Sequence, residues 1–400
     1  MTSKGIHLII LSDVSPVPDF SGATVRLAGF LKCLSRMSDV ARVTLSCPIL
    51  SNFRDVIESW CSTLNIELRP VYITQGFQTW SASQRIHFIK HAEYILMKEI
   101  SANPVIFVYG QPLAILLCNL AEIFPMVADI VDEMTPLLLR NIKRHLISGK
   151  FYSAIKQFYW LMIYQRNHIK LSKYRAIIIT AHDDAKRLSR LAPGLNIVPV
   201  PNGVTIGTEP PSFSERTDSV AVFHGTMDYP PNEQSALFIA REIAPRAPGV
   251  RFDIVGRGNS TILNRLVTKS SNIRIVGTVP IINEVLRSAR FGVYPVLSRT
   301  GIQNKILEAW ANGLPVITTM NALNVFRAYD NSALGAAICA RSGQDFVNAM
   351  KALEMNQKMC IDIIRCGREL TLRYFNWPCV SAQLLSVFIN CYPVNRVIPF

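Results

Sequence analysis

The sequence predicts an α/β protein with two doubly wound domains, each a parallel sheet covered by helices. Apolar, β-rich runs alternate with helical stretches along the chain, a pattern typical of parallel strands joined by helical crossovers. The 400 residues, of which 49% are hydrophobic, are sufficient for two domains with full cores. A turn-rich segment, Pro199 to Pro211, separates the two sets of strands and contains Asn202-Gly203 and Pro210-Pro211.

The elements follow in order along the chain. In the first half the predicted strands are His7–Leu11, Arg42–Ser46, Glu67–Tyr72, Val105–Tyr109, Met126–Ile130, Ala176–Ile179 and Asn196–Val200. In the second half they are Ser219–His224, Arg251–Val255, Ile273–Val276, Phe291–Tyr294, Pro315–Thr318 and Ala336–Cys339. The predicted helices include Thr24–Leu34, Glu233–Ile243, Asn283–Arg287 and the tail Phe375–Phe388. We therefore expect domains at 1–200 and 201–374, followed by a C-terminal helix at 375–400.

The cysteine pattern and the hydropathy of the chain indicate the cellular environment of the protein. The nine cysteines never form a C-x-x-C pair and the seven histidines are scattered, so neither a zinc site nor a disulfide framework is predicted. Ile6 to Leu11 is too short for a signal-peptide core and fits a first buried strand. No run reaches the ~18 apolar residues that span a bilayer. We expect a cytoplasmic protein with reduced thiols.

The net charge of +14 is concentrated in one segment. Residues 134 to 182 contain no Asp or Glu, whereas aromatic residues are interleaved with cations there. The basic residues of this segment are Arg140, Lys143, Arg144, Lys150, Lys156, Arg166, Lys170, Lys173 and Arg175. A basic, aromatic surface favours an anionic membrane, here the inner face of the plasma membrane. The alternative is a solvated helical face with its aromatics in the core. No recognised module supports nucleic acid as a partner.

The most informative stretch of the chain runs from Thr300 to Thr319. Its glycine, Gly301, opens into a helix whose apolar face carries Ile306, Leu307 and Trp310, and Asn312-Gly313 supplies the stop. A helix entered through glycine presents unpaired N–H groups and the positive end of its dipole, which suits a phosphate. Lys305 and Glu308 add a cation and an acceptor for hydroxyl groups. The stretch therefore predicts a site for a nucleoside diphosphate.

Several segments resemble the group 1 (family 4) glycosyltransferases. The segment Gly301-Ile-Gln-Asn-Lys-Ile-Leu-Glu308 with Asn312-Gly-Leu-Pro-Val is similar to their donor-binding segment. Other segments match in order and spacing along nearly the whole chain. They are Ile10-Leu-Ser-Asp, Pro16 to Arg26 with Ser21-Gly22, Val200-Pro-Asn-Gly-Val204, Phe223-His-Gly-Thr-Met-Asp-Tyr-Pro-Pro-Asn232, Phe252-Asp-Ile-Val-Gly-Arg-Gly258, Ile273-Arg-Ile-Val-Gly-Thr278 and Tyr374-Phe-Asn-Trp377. Each motif is weak alone, and the ordered series is strong.

The resemblance implies a fold and an activity. The fold is GT-B, in which two Rossmann-like domains face each other across a cleft and the C-terminal helix returns to the first domain. The first domain lies on the acceptor side and the second binds the nucleotide sugar. The activity is transfer of a sugar, with retention, from a nucleotide-diphosphate sugar to a saccharide or lipid-linked acceptor in bacterial polysaccharide or glycolipid biosynthesis. The donor loops contain no Asp-x-Asp motif, so we expect metal independence and no cofactor.

Candidate donor residues lie in the second half of the chain. The family role of Glu308 is to accept hydrogen bonds from ribose hydroxyls, and we count it as a catalytic candidate too; the alternative is a solvated helix carboxylate. Lys305 is a pyrophosphate ligand or a surface lysine. Gly301 and Ile302 would offer backbone N–H groups. The other donor-binding candidates are Gln303, Asn304, Asp228, Asn232 and Thr278. His224 is interpreted as a core histidine, and Gly256-Arg-Gly258 as a strand-to-helix turn.

In the first half, Asp132 and Gly22 are the site candidates. Asp132 falls where many relatives place a histidine that contacts the transferred sugar. A carboxylate there accepts a sugar hydroxyl, orients the acceptor or acts as a base, or else it caps the next helix. Gly22 lets the backbone approach the donor phosphate or the acceptor, or serves a turn. Arg26, one helical turn further, is within reach of the cleft.

The chain departs from the family at two places. Thr300 stands where an acidic residue is usual, eight positions before Glu308, and the segment from Met227 to Asn232 lacks the usual basic pair. The phosphate charge is then left to Lys305, to backbone dipoles and to Arg257 or Arg299. Two alternatives therefore stay open: a non-catalytic nucleotide-sugar-binding scaffold at the membrane, and a GT-B-type nucleotide-sugar epimerase.

Overall fold

The computed structural model describes residues 5–18, 21–73, 80–99, 104–217, 219–268, 270–297 and 301–392. The chain forms two compact units: unit 1 is Met1–Gly203 with Trp377–Phe400, and unit 2 is Val204–Asn376. Within the described ranges, no helix combines the length and the hydropathy needed to cross a bilayer.

Unit 1 is built on a parallel sheet of seven strands. The strands of this unit are β1 Ile6–Ser12, β2 Val40–Ser46, β3 Pro48–Leu50, β4 Ile66–Leu68, β5 Val71–Ile73, β6 Val105–Tyr109, β7 Met126–Asp129, β8 Ala176–Ile179 and β9 Ile197–Pro199. The main sheet has the order β4-β2-β1-β6-β7-β8-β9, and β3 pairs with β5 as a separate parallel ribbon. The helices are α1 Gly22–Leu34, α2 Arg54–Thr63, α3 Ala82–Glu99, α4 Gln111–Leu116, α5 Leu120–Ile123, α6 Thr135–Ile147, α7 Phe151–Asn167 and α8 His182–Leu191.

Strand β1 shows why this sheet needs helices on both faces. Its residues Leu8, Ile9, Ile10 and Leu11 are all fully buried. Leu8 and Ile10 pack into one hydrophobic cluster, and Ile9 and Leu11 pack into another. Because successive side chains of a strand point to opposite faces, the sheet separates two cores. A continuous apolar run is therefore the expected sequence of a strand in the middle of a parallel sheet.

A buried arginine ties the carboxyl end of this sheet together. The guanidinium of Arg26, on α1, is completely buried and pairs with the Asp129 carboxylate at 2.9 Å. It also donates to the carbonyls of Val200 and Pro201 and to the side chain of Asn202, at 2.7–2.8 Å. These internal acceptors occupy the donors of Arg26, so its guanidinium has a structural role within unit 1 rather than pointing freely toward the cleft.

Unit 2 is built on a parallel sheet of six strands. They are β10 Val220–His224, β11 Arg251–Val255, β12 Ile273–Gly277, β13 Phe291–Tyr294, β14 Val316–Thr318 and β15 Ile338–Cys339. Their order is β12-β11-β10-β13-β14-β15. The helices are α9 Pro230–Phe238, α10 Thr261–Val267, α11 Ile282–Ser288, α12 Asn304–Ala311, α13 Met320–Arg327, α14 Gly343–Met355 and α15 Gln357–Tyr374. Helix α9 continues into a π-helical turn at Ile239–Ile243.

Arg216 plays the corresponding part in unit 2. Its guanidinium donates to the carbonyls of Leu286, Arg287 and Ala289 around the end of α11, and to those of Asn312 and Gly313 after α12. Burial lowers the pKa of Arg216 to about 10. This arginine therefore fixes where helix α12 ends.

The last helix, α16 Trp377–Cys391, belongs to unit 1 and packs on α1. Trp377 lies so close to Gly29 and Gly203 that a Cβ atom at either glycine would come within 2.4 Å of its indole ring. The two ends of unit 2 are joined, because the Val204 amide donates to the Phe375 carbonyl and Val204 forms a parallel bridge with Asn376. Unit 2 is thus inserted between α8–β9 and α16 of unit 1.

The predicted α/β architecture of two parallel-sheet domains is confirmed, and so is the return of the C-terminal helix to the first one. One predicted strand, Glu67–Tyr72, is wrong: the chain forms β4 and β5 there, in different sheets. Pro70 lies between β4 and β5, and the Arg69 and Val71 amides on either side of it donate to the Leu45 and Cys47 carbonyls at 2.8 and 3.0 Å.

Removal of the buried arginine tests its role in unit 1. Replacing Arg26 by Met should lower the free energy of unfolding by about 3–5 kcal/mol, because Asp129 would remain buried without its partner. Urea unfolding monitored by circular dichroism measures the loss. The control is Arg54→Met, which breaks the exposed pair Arg54–Glu58 and should leave the midpoint nearly unchanged. Equal midpoints for the two variants would contradict the assignment.

Candidate functional site

Helix α12 begins at the carboxyl edge of the unit 2 sheet, after β13 and before β14. Gly301 has φ 64° and is buried, and Gln303 is the N-cap residue. Trp310 anchors the helix, because it is buried and its indole N–H donates to the Ala336 carbonyl at 2.8 Å. Gly301, Ile302, Gln303 and Asn304 therefore form the entry to a fixed helix. Arg299 and Thr300 lie outside the described residues.

Lys305 and Asn232 are in direct contact. The Lys305 ammonium donates to the Asn232 side-chain oxygen and lies 5.2 Å from the centroid of the Phe223 ring. The Asn232 amide group in turn donates to the Thr226 carbonyl at 3.0 Å. Burial lowers the pKa of Lys305 to about 8, and the negative charge of Glu308 opposes this shift. The structure thus holds a cation beside the helix entry in surroundings that disfavour its charge.

Glu308 is held by a histidine that the sequence-based interpretation assigned to the core. His224 Nε2 lies 2.7 Å from Glu308 Oε2, and His224 Nδ1 lies 3.0 Å from the Tyr294 hydroxyl. Burial keeps the pKa of Tyr294 well above its usual value, so its neutral hydroxyl donates to Nδ1. The proton of the imidazole then lies on Nε2 and is donated to Glu308. His224 is buried, yet it also belongs to the polar cluster.

One feature of the sequence could have indicated this role. His224 is the last residue of β10 and precedes Gly225, and side chains at the carboxyl ends of parallel strands are where such sheets bind ligands. The spacing of motifs gives no sign that His224 and Glu308, 84 positions apart, are partners.

Asp228 and Thr278 are placed differently from this cluster. The exposed carboxylate of Asp228 accepts from the Asn259 amide at 3.3 Å, and the Met227 amide donates to the Arg257 carbonyl at 2.7 Å. These bonds hold the Gly256–Gly258 turn, where a Cβ atom on Gly256 would lie 2.0 Å from the Gly225 carbonyl oxygen. Thr278 is exposed directly after the edge strand β12. The structure therefore brings Asn232, Lys305 and Glu308 together, with Asp228 in a neighbouring loop.

In unit 1, Asp132 and Gly22 lie after β7 and at the start of α1. Asp132 accepts from the Thr180 hydroxyl at 2.7 Å, and burial raises its pKa. The N-cap residue of the following helix α6 is Met134, and the side chain of the preceding Glu133 accepts from the Thr135 amide at 2.9 Å. Gly22 is exposed as the first residue of α1 and follows the capping-box residue Ser21.

A further carboxylate at this edge, Asp13, is not among the predicted site residues. Asp13 follows β1 beside Gly110, and burial raises its pKa to about 7, with the charge of Asp129 acting in the same direction. Across the described ranges, no group of three or more His, Cys, Asp or Glu side chains is arranged to hold a metal ion.

The acid-free segment forms a helical hairpin, α6 with α7, which we call the α6–α7 hairpin. Its helices contact each other closely, but α6 buries no residue and α7 buries only Ala154 and Leu161. Large apolar side chains are exposed instead, among them Ile147 at 77% and Tyr152 at 82%. The others on the hairpin are Leu139, Leu146, Phe151, Ile155, Phe158, Tyr159, Trp160 and Met162. The alternative of aromatics packed into the core is therefore wrong for these side chains.

Comparison with known proteins agrees with this architecture. Residues 218–356, most of unit 2, match the family model Glycosyl transferases group 1. No curated protein matches the sequence significantly. The fold is similar to Anabaena HepE in complex with UDP and glucose (14% identity, TM-score 0.67, 96% of this chain and 100% of that chain).

Two further solved structures share the fold over comparable lengths. Sucrose-phosphate synthase from Thermosynechococcus elongatus has a TM-score of 0.72 at 14% identity, over 96% of this chain and 98% of that chain. A glycosyltransferase from Rickettsia africae has a TM-score of 0.65 at 10% identity, over 98% and 100%. At these identities the likeness concerns the fold. Together with the family match over residues 218–356, it identifies this chain as a protein of the GT-B fold whose second unit is similar to the group 1 glycosyltransferases.

Proposed function

We propose that the chain transfers a sugar from a nucleotide-diphosphate sugar to a saccharide or lipid-linked acceptor, with retention, in bacterial polysaccharide or glycolipid assembly. The observation that carries this proposal is the polar cluster of Asn232, Lys305, His224 and Glu308 at the entry of α12, inside the region that matches the family. HepE, a relative by fold, has been crystallised with UDP and glucose, which supports UDP as a first probe of the donor site.

The cluster suggests how unit 2 would serve the reaction. The departing nucleoside diphosphate gains negative charge, and preorganised positive groups stabilise that change best where water is excluded. Lys305 and the N–H groups at the start of α12 are such groups. Glu308, oriented by His224, would accept hydrogen bonds from the ribose hydroxyls. Retention of stereochemistry and metal independence are parts of this proposal, which names no particular sugar.

For unit 1 we propose a role on the acceptor side. Asp132 would orient an acceptor or sugar hydroxyl, because its carboxylate follows the carboxyl end of β7 and burial raises its pKa, which favours a role in proton transfer. The exposed apolar and cationic side chains of the α6–α7 hairpin favour a lipid-linked acceptor at an anionic membrane surface.

The activity itself is tested by following the donor. Sugar release from UDP-glucose and related donors, measured with and without bacterial lipid extract, separates three outcomes. Transfer that depends on the acceptor supports the proposal. Release or isomerisation of the sugar without any acceptor favours the epimerase, and UDP binding without turnover favours the scaffold protein. Activity that persists in EDTA would support metal independence.

Glu308 should hold the ribose. Replacing Glu308 by Ala should weaken UDP binding by ~1.5–3 kcal/mol, the value of a hydrogen bond to a charged group. Isothermal titration calorimetry measures the change, and the thermal midpoint reports whether the fold is intact. The control is Glu284→Ala, which removes an exposed carboxylate of the same unit. Unchanged UDP affinity in the Glu308 variant would exclude the ribose role.

Lys305 should make UDP binding depend on pH. Since its pKa is lowered to about 8, the free protein loses this positive charge as the pH rises through 8, whereas a bound diphosphate favours the charged form. UDP affinity should therefore fall above pH 8, approaching ~tenfold per pH unit. Lys305→Met should remove this dependence and Lys351→Met, at an exposed position, should keep it. A parallel pH profile for wild type and Lys305→Met would refute the assignment.

The α6–α7 hairpin should bind anionic vesicles. Flotation should require negatively charged lipid and weaken with salt, because exposed charges are screened within ~8 Å at physiological ionic strength. Reversal of Lys143, Arg144 and Lys150 to Glu should release the protein and spare UDP binding. The control reverses three exposed cations of unit 2, Arg265, Lys351 and Lys358, so that the net charge is matched. Equal flotation on neutral and anionic vesicles would contradict the prediction.

A further inference from the structure

A large pocket lies within unit 1, beside the α6–α7 hairpin. It is bounded by α4, α6, α7 and the short helical turn that follows α7, and its volume is about 1120 Å³. Small-molecule sites usually enclose ~300–1,000 Å³, so the space suits a ligand with a long chain. Neither His224, Glu308 nor any other residue of the unit 2 cluster takes part in it.

The walls of the pocket are mainly apolar. Ile115 and Leu116 come from α4, Leu138 from α6, and Trp160 and Ile163 from α7. Trp160 is also one of the exposed apolar residues of the hairpin. The apolar lining is therefore continuous with an apolar surface, which distinguishes it from a packing defect inside a core. Contiguous apolar patches of this kind mark binding surfaces on soluble folds.

The rim of the pocket is positively charged. Arg85, on α3, and Lys170, after α7, both line the pocket and are exposed. Neither forms an ion pair with any residue of the described ranges, whereas nearby Lys173 pairs with Glu122 at 2.9 Å. Among the residues that the structure describes, no Asp or Glu lines the pocket. The ligand that complements this arrangement has an apolar chain and an anionic head.

The pocket also adjoins the candidate acceptor carboxylate. Met134, which lines the pocket, follows Asp132 by two positions at the carboxyl end of β7. One wall of the pocket therefore belongs to the segment after β7 that also carries Asp132.

We propose that this pocket binds a single-chain lipid phosphate, with its chain against Ile115, Leu138 and Trp160 and its phosphate beside Arg85 and Lys170. The identification of that lipid as the acceptor, or its anchor, rests on the proposed function; the site itself does not. It differs from docking of the hairpin on a membrane, because it holds one molecule and needs no vesicle.

The probe is farnesyl phosphate below its critical micelle concentration, titrated calorimetrically into the full chain. Dodecyl phosphate, farnesol and inorganic phosphate serve as comparisons. We expect one site per chain, binding of farnesyl phosphate at least tenfold tighter than farnesol, and no heat from inorganic phosphate. Preference for farnesyl over dodecyl phosphate would indicate an isoprenoid ligand, and the reverse an acyl ligand. Absence of binding by both lipid phosphates would overturn the proposal.

Two sets of variants assign the binding to this pocket. Arg85→Glu with Lys170→Glu should weaken farnesyl phosphate at least tenfold, and Arg85→Lys with Lys170→Arg should retain it. Leu138→Glu, in the wall, should weaken farnesyl phosphate and farnesol alike. The hairpin reversal at Lys143, Arg144 and Lys150, outside the pocket, should leave this binding unchanged. Equal affinity in all variants would refute the site, and the thermal midpoint of each variant reports whether it folds.

The proposal and the proposed function can fail separately. If the protein binds farnesyl phosphate but neither binds UDP nor turns over a donor, the lipid phosphate site is supported and the proposed glycosyltransferase activity is refuted. UDP binding with donor turnover, in a protein that ignores both lipid phosphates, would do the opposite.

Discussion

A buried guanidinium needs several hydrogen-bond acceptors, and each unit of this protein is organised around one such group. Arg26 gathers the carboxylate of Asp129 and the carbonyls of the chain that leaves β9. Arg216 gathers five carbonyls, two of which follow helix α12. Because an unsatisfied buried charge is so costly, these contacts restrict the backbone to one arrangement. The position of Glu308, one turn before the end of α12, depends on the second of them.

The two units treat unfavourable groups in opposite ways. Unit 2 encloses Lys305 beside an aromatic ring and a fixed helix, where burial disfavours the charge of its ammonium group. Unit 1 instead leaves apolar side chains of the α6–α7 hairpin in water, where they cost free energy until something covers them. On the proposed function, a polyanion would relieve the first cost and an amphiphile the second. A protein that must bring these two kinds of molecule together would be expected to carry both.

Much of this arrangement could be predicted from local sequence. Strands such as β1 and β10 are short continuous apolar runs, and α12 is bounded by Gly301 and Gly313. The hydrophobic pattern and the glycine positions were therefore sufficient to predict these elements. The failures are long-range. Arg26 and Asp129 form a hydrogen bond although they are 103 positions apart in the sequence. The sequence around Arg26 therefore does not reveal that internal acceptors occupy its N–H groups. His224 is a buried residue, as the sequence predicts. Its second role, orienting Glu308, becomes visible only through the contact between the two side chains. The sequence also could not predict that the apolar side chains of the α6–α7 hairpin are exposed. A periodic apolar pattern predicts an amphipathic helix, but it does not indicate what covers the apolar face.

The insertion of unit 2 has a consequence for synthesis of the chain. Residues 204–376 contain all strands of the unit 2 sheet, so this sheet is complete before α16 has been made. The packing of Trp377 against Gly29 and Gly203 can form only after α16 has been synthesised. Domains usually fold in the order in which they emerge from the ribosome. In this protein the unit that starts first is completed last, so the face of α1 that α16 covers stays open during translation of the whole second unit. A chain interrupted shortly before Trp377 would hold a finished unit 2 and an unsealed unit 1.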